Sequence, residues 1–391
     1  MYDFDKKIDR HGTGSFKYER LERFFGRPDL LPMWVADMEF ATPDFIIDDI
    51  RKRLGHPIFG YPITDPEYAP AIIAWEKSHH GWNIEEDWIS FIPGIVKGIG
   101  LAIRALLEEG DKVVIQPPVY HPFRLVPEAC GIEVVHNPLK ELPGGGYSMD
   151  LAGLEEILGK DPSCKLLILC NPHNPAGIVW DPATLRSLAH ICRSHGVTVI
   201  SDEIHCDLAL FGHKHTPFAS VSDEAAAISI TFQAPSKTFN IAGFASSFAV
   251  VPDKALRGKF FGWMEAAELN EPDIFASVAA IAAYSKGEPW RKKLVSYLEG
   301  NVVAVEEFCR KRLPGIRPLR PQASFLVWLD CRALGLGHKE LVSLFVEKAG
   351  LALNDGAVFG KEGMGFMRLN IGCPRSMVEE ALMRLEKALK G

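Results

Sequence analysis

No run in this 391-residue chain approaches the roughly 18 apolar residues that a membrane-spanning helix needs. The opening residues Met1-Tyr2-Asp3-Phe4-Asp5-Lys6 are charged where a secretory leader would be apolar, so neither membrane insertion nor secretion is expected. Runs of lysine or arginine are also missing. With 43 basic and 50 acidic residues the net charge is −7, and nucleic acid and anionic lipid are not expected as partners. A small neutral or zwitterionic ligand suits this balance better. The eight cysteines, at positions 130, 164, 170, 192, 206, 309, 331 and 373, form no C-x-x-C pair. That absence points to free thiols in a reducing compartment, the cytoplasm. There is no internal repeat or low-complexity tract, and no G-x-G-x-x-G spacing to suggest a dinucleotide site.

What is present is a globular composition, 47% hydrophobic, long enough to bury roughly three quarters of its unfolded surface. Short apolar runs alternate with helical patterns, which marks an α/β fold with a largely parallel sheet. Strands are expected at 88–92, 112–116, 133–136, 165–170, 197–202, 227–232 and 245–251. Helices are expected at 96–108, stopped by Gly110, and at 182–195, where Asp181 caps and Pro182 takes the first helical position. Beyond about residue 285 the pattern changes to a long charged helix (290–312), a strand (324–330), a helix (339–349), a strand (367–371) and a last helix from Ser376. Residues 46–285 are therefore expected to form a large domain, and 1–45 with 286–391 an arm and a smaller α+β domain. Gly144-Gly145-Gly146 reads as a hairpin or loop tip.

Lys237 is the candidate catalytic residue. It lies in Ala234-Pro235-Ser236-Lys237-Thr238-Phe239-Asn240, a small-residue loop after the apolar run 226–231. A lysine so placed can bind an aldehyde cofactor as a Schiff base if other groups hold the ring, its nitrogen and its phosphate. Asp202 ends an apolar strand, where ligands bind in open α/β sheets, and a carboxylate there can keep a ring nitrogen protonated. Alone it would more simply be a turn residue. Asn174, in Asn171-Pro172-His173-Asn174-Pro175, offers an amide that can donate to a phenolic oxygen and to a substrate carboxylate, although an isolated Asn-Pro turn is usually structural. Pro93-Gly94-Ile95-Val96-Lys97-Gly98 joins a strand to a helix, so the backbone at Ile95 and Val96 can receive a phosphate, with Ser236 adding a hydroxyl. Tyr120 lies past a strand end and can stack on a ring.

These motifs, with Met33-Trp34-Val35-Ala36-Asp37-Met38-Glu39-Phe40, the block Pro118-Val119-Tyr120-His121-Pro122-Phe123 and Asp202-Glu203-Ile204-His205, resemble the fold type I pyridoxal-phosphate enzymes. Over essentially its whole length the chain looks like the aminotransferase class I and II superfamily. Within it, the chain resembles the carbon–sulfur lyase branch, which includes the cystathionine β-lyases related to the maltose-regulon modulator and the PatB type. The resemblance implies pyridoxal 5'-phosphate as cofactor, Lys237 as its covalent anchor, Asp202 at the ring nitrogen, Asn174 at the phenolic oxygen and Tyr120 as stacking ring. It further implies Arg368 as the bidentate grip on a substrate carboxylate, beside Asn174, Trp34 and Ala36. Tyr61 falls where a tyrosine reaches the phosphate of a neighbouring subunit, which implies a homodimer with shared sites. Tyr61 and Tyr120 join Lys237 as expected catalytic residues.

Two departures from the aminotransferase pattern favour the lyase branch: His205 replaces a tyrosine three residues after the ring aspartate, and Ala245 replaces a phosphate-binding arginine. Ala234 likewise stands where a serine is common. The expected activity is α,β-elimination from cystathionine or related cysteine S-conjugates to thiol, pyruvate and ammonia. Transamination is the alternative, and a regulatory protein that retains the fold a second one. His79-His80 and His213-Lys214-His215 are read as solvated surface rather than metal ligands, and no metal is expected. His121 and His173 either touch substrate or pack beside it, and Trp34 and Phe40 either line the substrate entrance or anchor the arm.

Overall fold

The computed structural model describes residues 2–390. Seven strands form the main sheet: β1 (Ile89–Ile92), β2 (Lys112–Ile115), β3 (Glu133–His136), β4 (Cys164–Cys170), β5 (Thr198–Asp202), β6 (Ser229–Gln233) and β7 (Ser247–Val250). Their order is β1-β7-β6-β5-β4-β2-β3, and only β7 runs antiparallel to its neighbours. A central parallel strand is covered on both faces, which is why β4 reads as an unbroken Leu166-Leu167-Ile168-Leu169 run.

Among the described residues the longer helices, of eight residues or more, pack around the strands and beyond them: α1 (Asp44–Leu54), α2 (Tyr68–His80), α3 (Ile95–Leu106), α4 (Pro122–Ala129), α5 (Leu151–Lys160), α6 (Pro182–Ser194), α7 (Lys254–Ala266), α8 (Ile274–Lys286), α9 (Glu288–Arg312) and α10 (Arg375–Lys390). Leu167 and Leu169 face α5 and α6 through Leu154, Leu185 and Leu188. Leu166 and Ile168 face the other way, into Ile99, Phe123 and Phe260 of α3, α4 and α7. Asp181 caps α6 through the amides of Ala183 and Thr184, as its sequence signal indicates.

A second, antiparallel sheet follows: β8 (Arg317–Leu319), β9 (Leu326–Asp330), β10 (Asn354–Asp355) and β11 (Phe366–Asn370), ordered β8-β9-β11-β10. Val327, Leu329, Met367 and Leu369 on this sheet share one core with Leu298 and Val302 of α9 and Leu382 of α10. That core also takes in Trp75 of α2 and Phe239, so it runs on under the main sheet. Residues Leu31–Pro32 pair in parallel with Leu351–Ala352 and tie the N-terminal segment to this side.

Element ends differ from the sequence expectation by a residue or two, and three of the differences have a visible local cause. The strand expected at 227–232 starts at Ser229, because Ser222 caps a short helix, Asp223–Ile228, through the amide of Ala225. The strand expected from Ala245 starts at Ser247, since Ala245 adopts φ +49. The helix expected at 339–349 is α-helical over His338–Ser343 and continues as a π-helical stretch, Leu344–Lys348. Gly144-Gly145-Gly146 is a hairpin tip, between the paired segments Lys140–Glu141 and Tyr147–Ser148. Among the described residues no helix is long and apolar enough to cross a membrane.

Candidate active site

The C-terminal ends of β4, β5 and β6 carry Asn174, Asp202 and Lys237 to a cavity of about 330 Å³. This is where parallel α/β sheets place their ligands. Ala36, Ile95, Val96, Tyr120, His205 and Ser236 line it as well, so nine of the twelve residues singled out in the sequence meet in one place.

Lys237 is half-buried and its Nζ donates to the carbonyl oxygen of Ala36 at 2.6 Å. Burial lowers its amine to about 8, with Asp37 acting against that shift. Asp202 accepts one backbone N–H, from Ile204 at 3.1 Å, and among the described residues has no side-chain partner. Burial raises its carboxyl to about 7.

Arg368, on β11, sits beside the cavity rather than on its wall. One Nη donates to Asn174 Oδ1 (3.0 Å), the other to the carbonyl of Trp34 (2.9 Å) and to Asn354 Oδ1 (2.6 Å). Its guanidinium lies 4.9 Å from the Phe359 ring centroid. Its Nε is buried without a partner among the described residues. Because Asn174 spends its oxygen on Arg368, its amide nitrogen is left as a donor.

At the start of α3, Gly94 has φ +109, a conformation open to glycine, and no side chain caps the helix. The first backbone N–H groups of α3, at Ile95, Val96 and Lys97, therefore lack intrahelical acceptors and border the cavity. The ring of His205 is buried, and Nδ1 lies 3.1 Å from Ser324 Oγ.

Segment 34–40 is stitched in place from two directions. Asn240, three residues after Lys237, donates to the carbonyls of Met38 (2.9 Å) and Phe40 (2.8 Å) and accepts from the amide of Met38 (3.0 Å). Asn370, two residues after Arg368, donates to the carbonyl of Asp37 at 2.7 Å. Trp34 does not line the cavity: its indole N–H bonds the carbonyl of Lys17 at 2.9 Å, which anchors the arm. Phe40 is likewise buried in core contact with Phe4. Tyr61 also lies outside, fully exposed on a loop.

Of the histidines read as surface, His213 is exposed as expected, and the other three are a correction. His215 is buried and its Nε2 lies 2.7 Å from Glu203. His80 contacts Asp207 at 3.1 Å, and His79 stacks on Trp75. Their partners come from distant parts of the chain, so adjacency in sequence gives no signal of burial. Glu203 also accepts from Ser201 Oγ (2.7 Å) and the amide of Phe218 (2.8 Å). Asp207 accepts from Trp75 Nε1 (2.8 Å) and Thr238 Oγ1 (3.2 Å), which ties it to the residue that follows Lys237. His173 is buried against Trp180, and burial lowers it to about 3. Cys170, unmarked in the sequence, lines the cavity and accepts the amide of Asn174 at 3.2 Å.

Residues 29–385 match the family described as aminotransferase class I and II. The chain is 46% identical over 387 residues to cystathionine β-lyase PatB of Bacillus subtilis (strain 168), covering 99% of this chain and all of that protein. Among solved structures it is similar to cystalysin from Treponema denticola, which contains pyridoxal 5'-phosphate (34% identity, TM-score 0.95, covering 100% and 99% of the two chains). The pyridoxal-phosphate-bound C-S lyase from Staphylococcus hominis aligns at 31% identity and TM-score 0.91, again over 100% and 99%.

Proposed function

The chain belongs to the aminotransferase class I and II family, and on that premise we propose that it is a pyridoxal-phosphate-dependent carbon–sulfur β-lyase. Its substrates are cystathionine or related cysteine S-conjugates, its products a thiol, pyruvate and ammonia. The observation that carries this reading is the meeting of Lys237, Asp202 and the uncapped start of α3 in one cavity, in a chain alike from end to end to a cystathionine β-lyase.

The cavity fits the cofactor on its own chemistry. A buried carboxylate without a side-chain partner, Asp202, calls for a cationic N–H, which a protonated pyridine nitrogen supplies. The free amides at Ile95 and Val96, with Ser236, suit a phosphate. Lys237 would hold the aldehyde carbon, Asn174 and His205 the phenolic oxygen, and Tyr120 would stack on the ring. When bound, pyridoxal phosphate supplies an electron sink that stabilises negative charge at the substrate Cα.

The chain's own groups supply the rest. Arg368, held by Asn174, Trp34 and Asn354 through both Nη atoms, keeps a buried Nε without a partner among the described residues, and would take the substrate carboxylate there by exchanging one of those contacts. The Lys237 amine, lowered to about 8 by burial, is a competent base for the Cα proton near neutral pH. Loss of that proton lets the β-thiolate depart, and with cystathionine the thiol is homocysteine.

Tyr61 belongs to this scheme through a second copy of the chain. It stands in an exposed apolar loop with Ile58, Phe59 and Ile63, and there it would complete the phosphate site of its partner in a homodimer. Eight free cysteines suit a cytoplasmic location.

The test is a visible absorption spectrum of the purified protein followed by L-cystathionine and assay of pyruvate. We expect a cofactor band that Lys237→Ala removes, and pyruvate release. A band without pyruvate, but with glutamate-dependent turnover, replaces the lyase with an aminotransferase; no band after adding pyridoxal phosphate ends the proposal.

A further inference from the structure

Ser324 is buried yet has φ +77, the left-handed region that a residue with a Cβ avoids. Such a conformation persists only where the surroundings over-determine it. Here they do. Residues 321–324, just before β9, form a strap lying between two loops of the cavity. The amide of Gln322 donates to the carbonyl of Gly177 (2.7 Å), and its side-chain oxygen accepts from Val179 (2.9 Å). Both contacts are with the loop that carries Asn174. On the other side, the amide of Leu210 donates to the carbonyl of Gln322 (2.8 Å), and the amide of Ser324 to the carbonyl of Leu208 (2.8 Å). Both lie on the turn that follows His205. The approach is so close that a Cβ on Gly177 would stand 2.6 Å from Pro321 Cβ.

This backbone brings Ser324 Oγ to 3.1 Å from His205 Nδ1. Among the described residues Nε2 of the same ring has no hydrogen-bond partner, and His205 lines the cavity. Burial, with Lys237 and Arg368 nearby, holds the ring well below its ordinary pKa, so it is neutral and carries a single N–H. If Nδ1 carried that hydrogen, Nε2 would meet the cavity as an acceptor, which suits no phenolic oxygen.

We propose that Ser324 is a positioning residue: its hydroxyl donates to His205 Nδ1, which puts the ring's hydrogen on Nε2 and makes that nitrogen the donor facing the bound cofactor. The inference rests on the pyridoxal-phosphate reading above. It makes the second sheet, through its strap, a part of the cofactor site.

The test measures pyridoxal phosphate dissociation constants by fluorescence titration of the apoprotein, with apoprotein melting temperature alongside. Ser324→Ala is expected to weaken cofactor binding roughly five- to tenfold, the loss of one hydrogen bond's worth of affinity. In a His205→Phe background the same change is expected to have no further effect. Ser324→Gly relieves the backbone, so its apoprotein is expected to melt above that of Ser324→Ala while sharing its loss of affinity. Unaltered affinity in Ser324→Ala, an equal loss in the His205→Phe background, or recovery of affinity in Ser324→Gly each overturns the role of Ser324. A wild-type protein that takes up no pyridoxal phosphate instead overturns the functional reading, and this inference with it.

Discussion

At the scale of single residues, two groups of the cavity give the cofactor-free protein a distinct response to pH. The Lys237 amine loses its proton at about 8 in the folded chain, against 10.5 for the ordinary side chain. Uptake of pyridoxal phosphate, followed by stopped-flow absorbance, is therefore expected to accelerate as pH rises through about 8 and to level off well below 10.5. Asp202 shifts in the opposite sense. The folded apoprotein keeps this proton up to about 7, whereas the unfolded chain releases it near 3.8. Between those values the folded state binds more protons, so stability falls as pH rises. Asp202→Asn removes the penalty. Urea denaturation at about pH 8 should show that apoprotein more stable than wild type by on the order of 3 kcal/mol, with the gain gone near pH 4 and cofactor affinity impaired throughout. Lys237, Asp202 and Asn174 are legible in sequence because each sits at or just past a strand end, within a short motif whose chemistry is local. Ser324 is not, since its role depends on a contact 119 residues away along the chain.

At the scale of elements, Glu203 holds the sheet ends in register beneath the site. It takes hydrogen bonds from Ser201 on β5, from the amide of Phe218 and from His215, all in a fully buried setting. A glutamine there keeps the shape but turns one acceptor oxygen into a donor facing donors. Glu203→Gln is expected to lower unfolding free energy by about 2–4 kcal/mol in a denaturant titration and to weaken cofactor binding. The strands of the main sheet and helices α3, α6, α9 and α10 are readable from hydrophobic period, and Asp181-Pro182 announces α6 outright, whereas α1, α2, α4, α5, α7 and α8 have no counterpart in the sequence expectation. The misread pieces have physical causes. Ser222 starts a helix in what reads as one apolar run, and His80 and His215 are drawn inward by carboxylates that sequence spacing does not reveal.

At the scale of the whole molecule, the proposed homodimer turns on the exposed loop that carries Ile58, Phe59, Tyr61 and Ile63. Ile63→Glu introduces a charge into that surface. Sedimentation should then report a monomer, and the monomer should bind pyridoxal phosphate more weakly because Tyr61 no longer reaches a neighbour. The α/β class is legible from the alternation of apolar runs and helices. The proposed division into residues 46–285 and the remainder describes topology more than energetics, since Trp75 and Phe239 share a core with Trp290, Leu298 and Phe345.

The stitching of segment 34–40 has a metric consequence. Asn240 and Asn370 pin one short stretch of backbone from the neighbourhoods of Lys237 and Arg368, and Ala36 and Trp34 within it touch those two side chains directly. The span between amine and guanidinium is thus held like the jaws of a caliper, and a β-amino acid, one methylene longer than an α-amino acid, is expected to show no turnover in a pyruvate-independent amino-acid consumption assay.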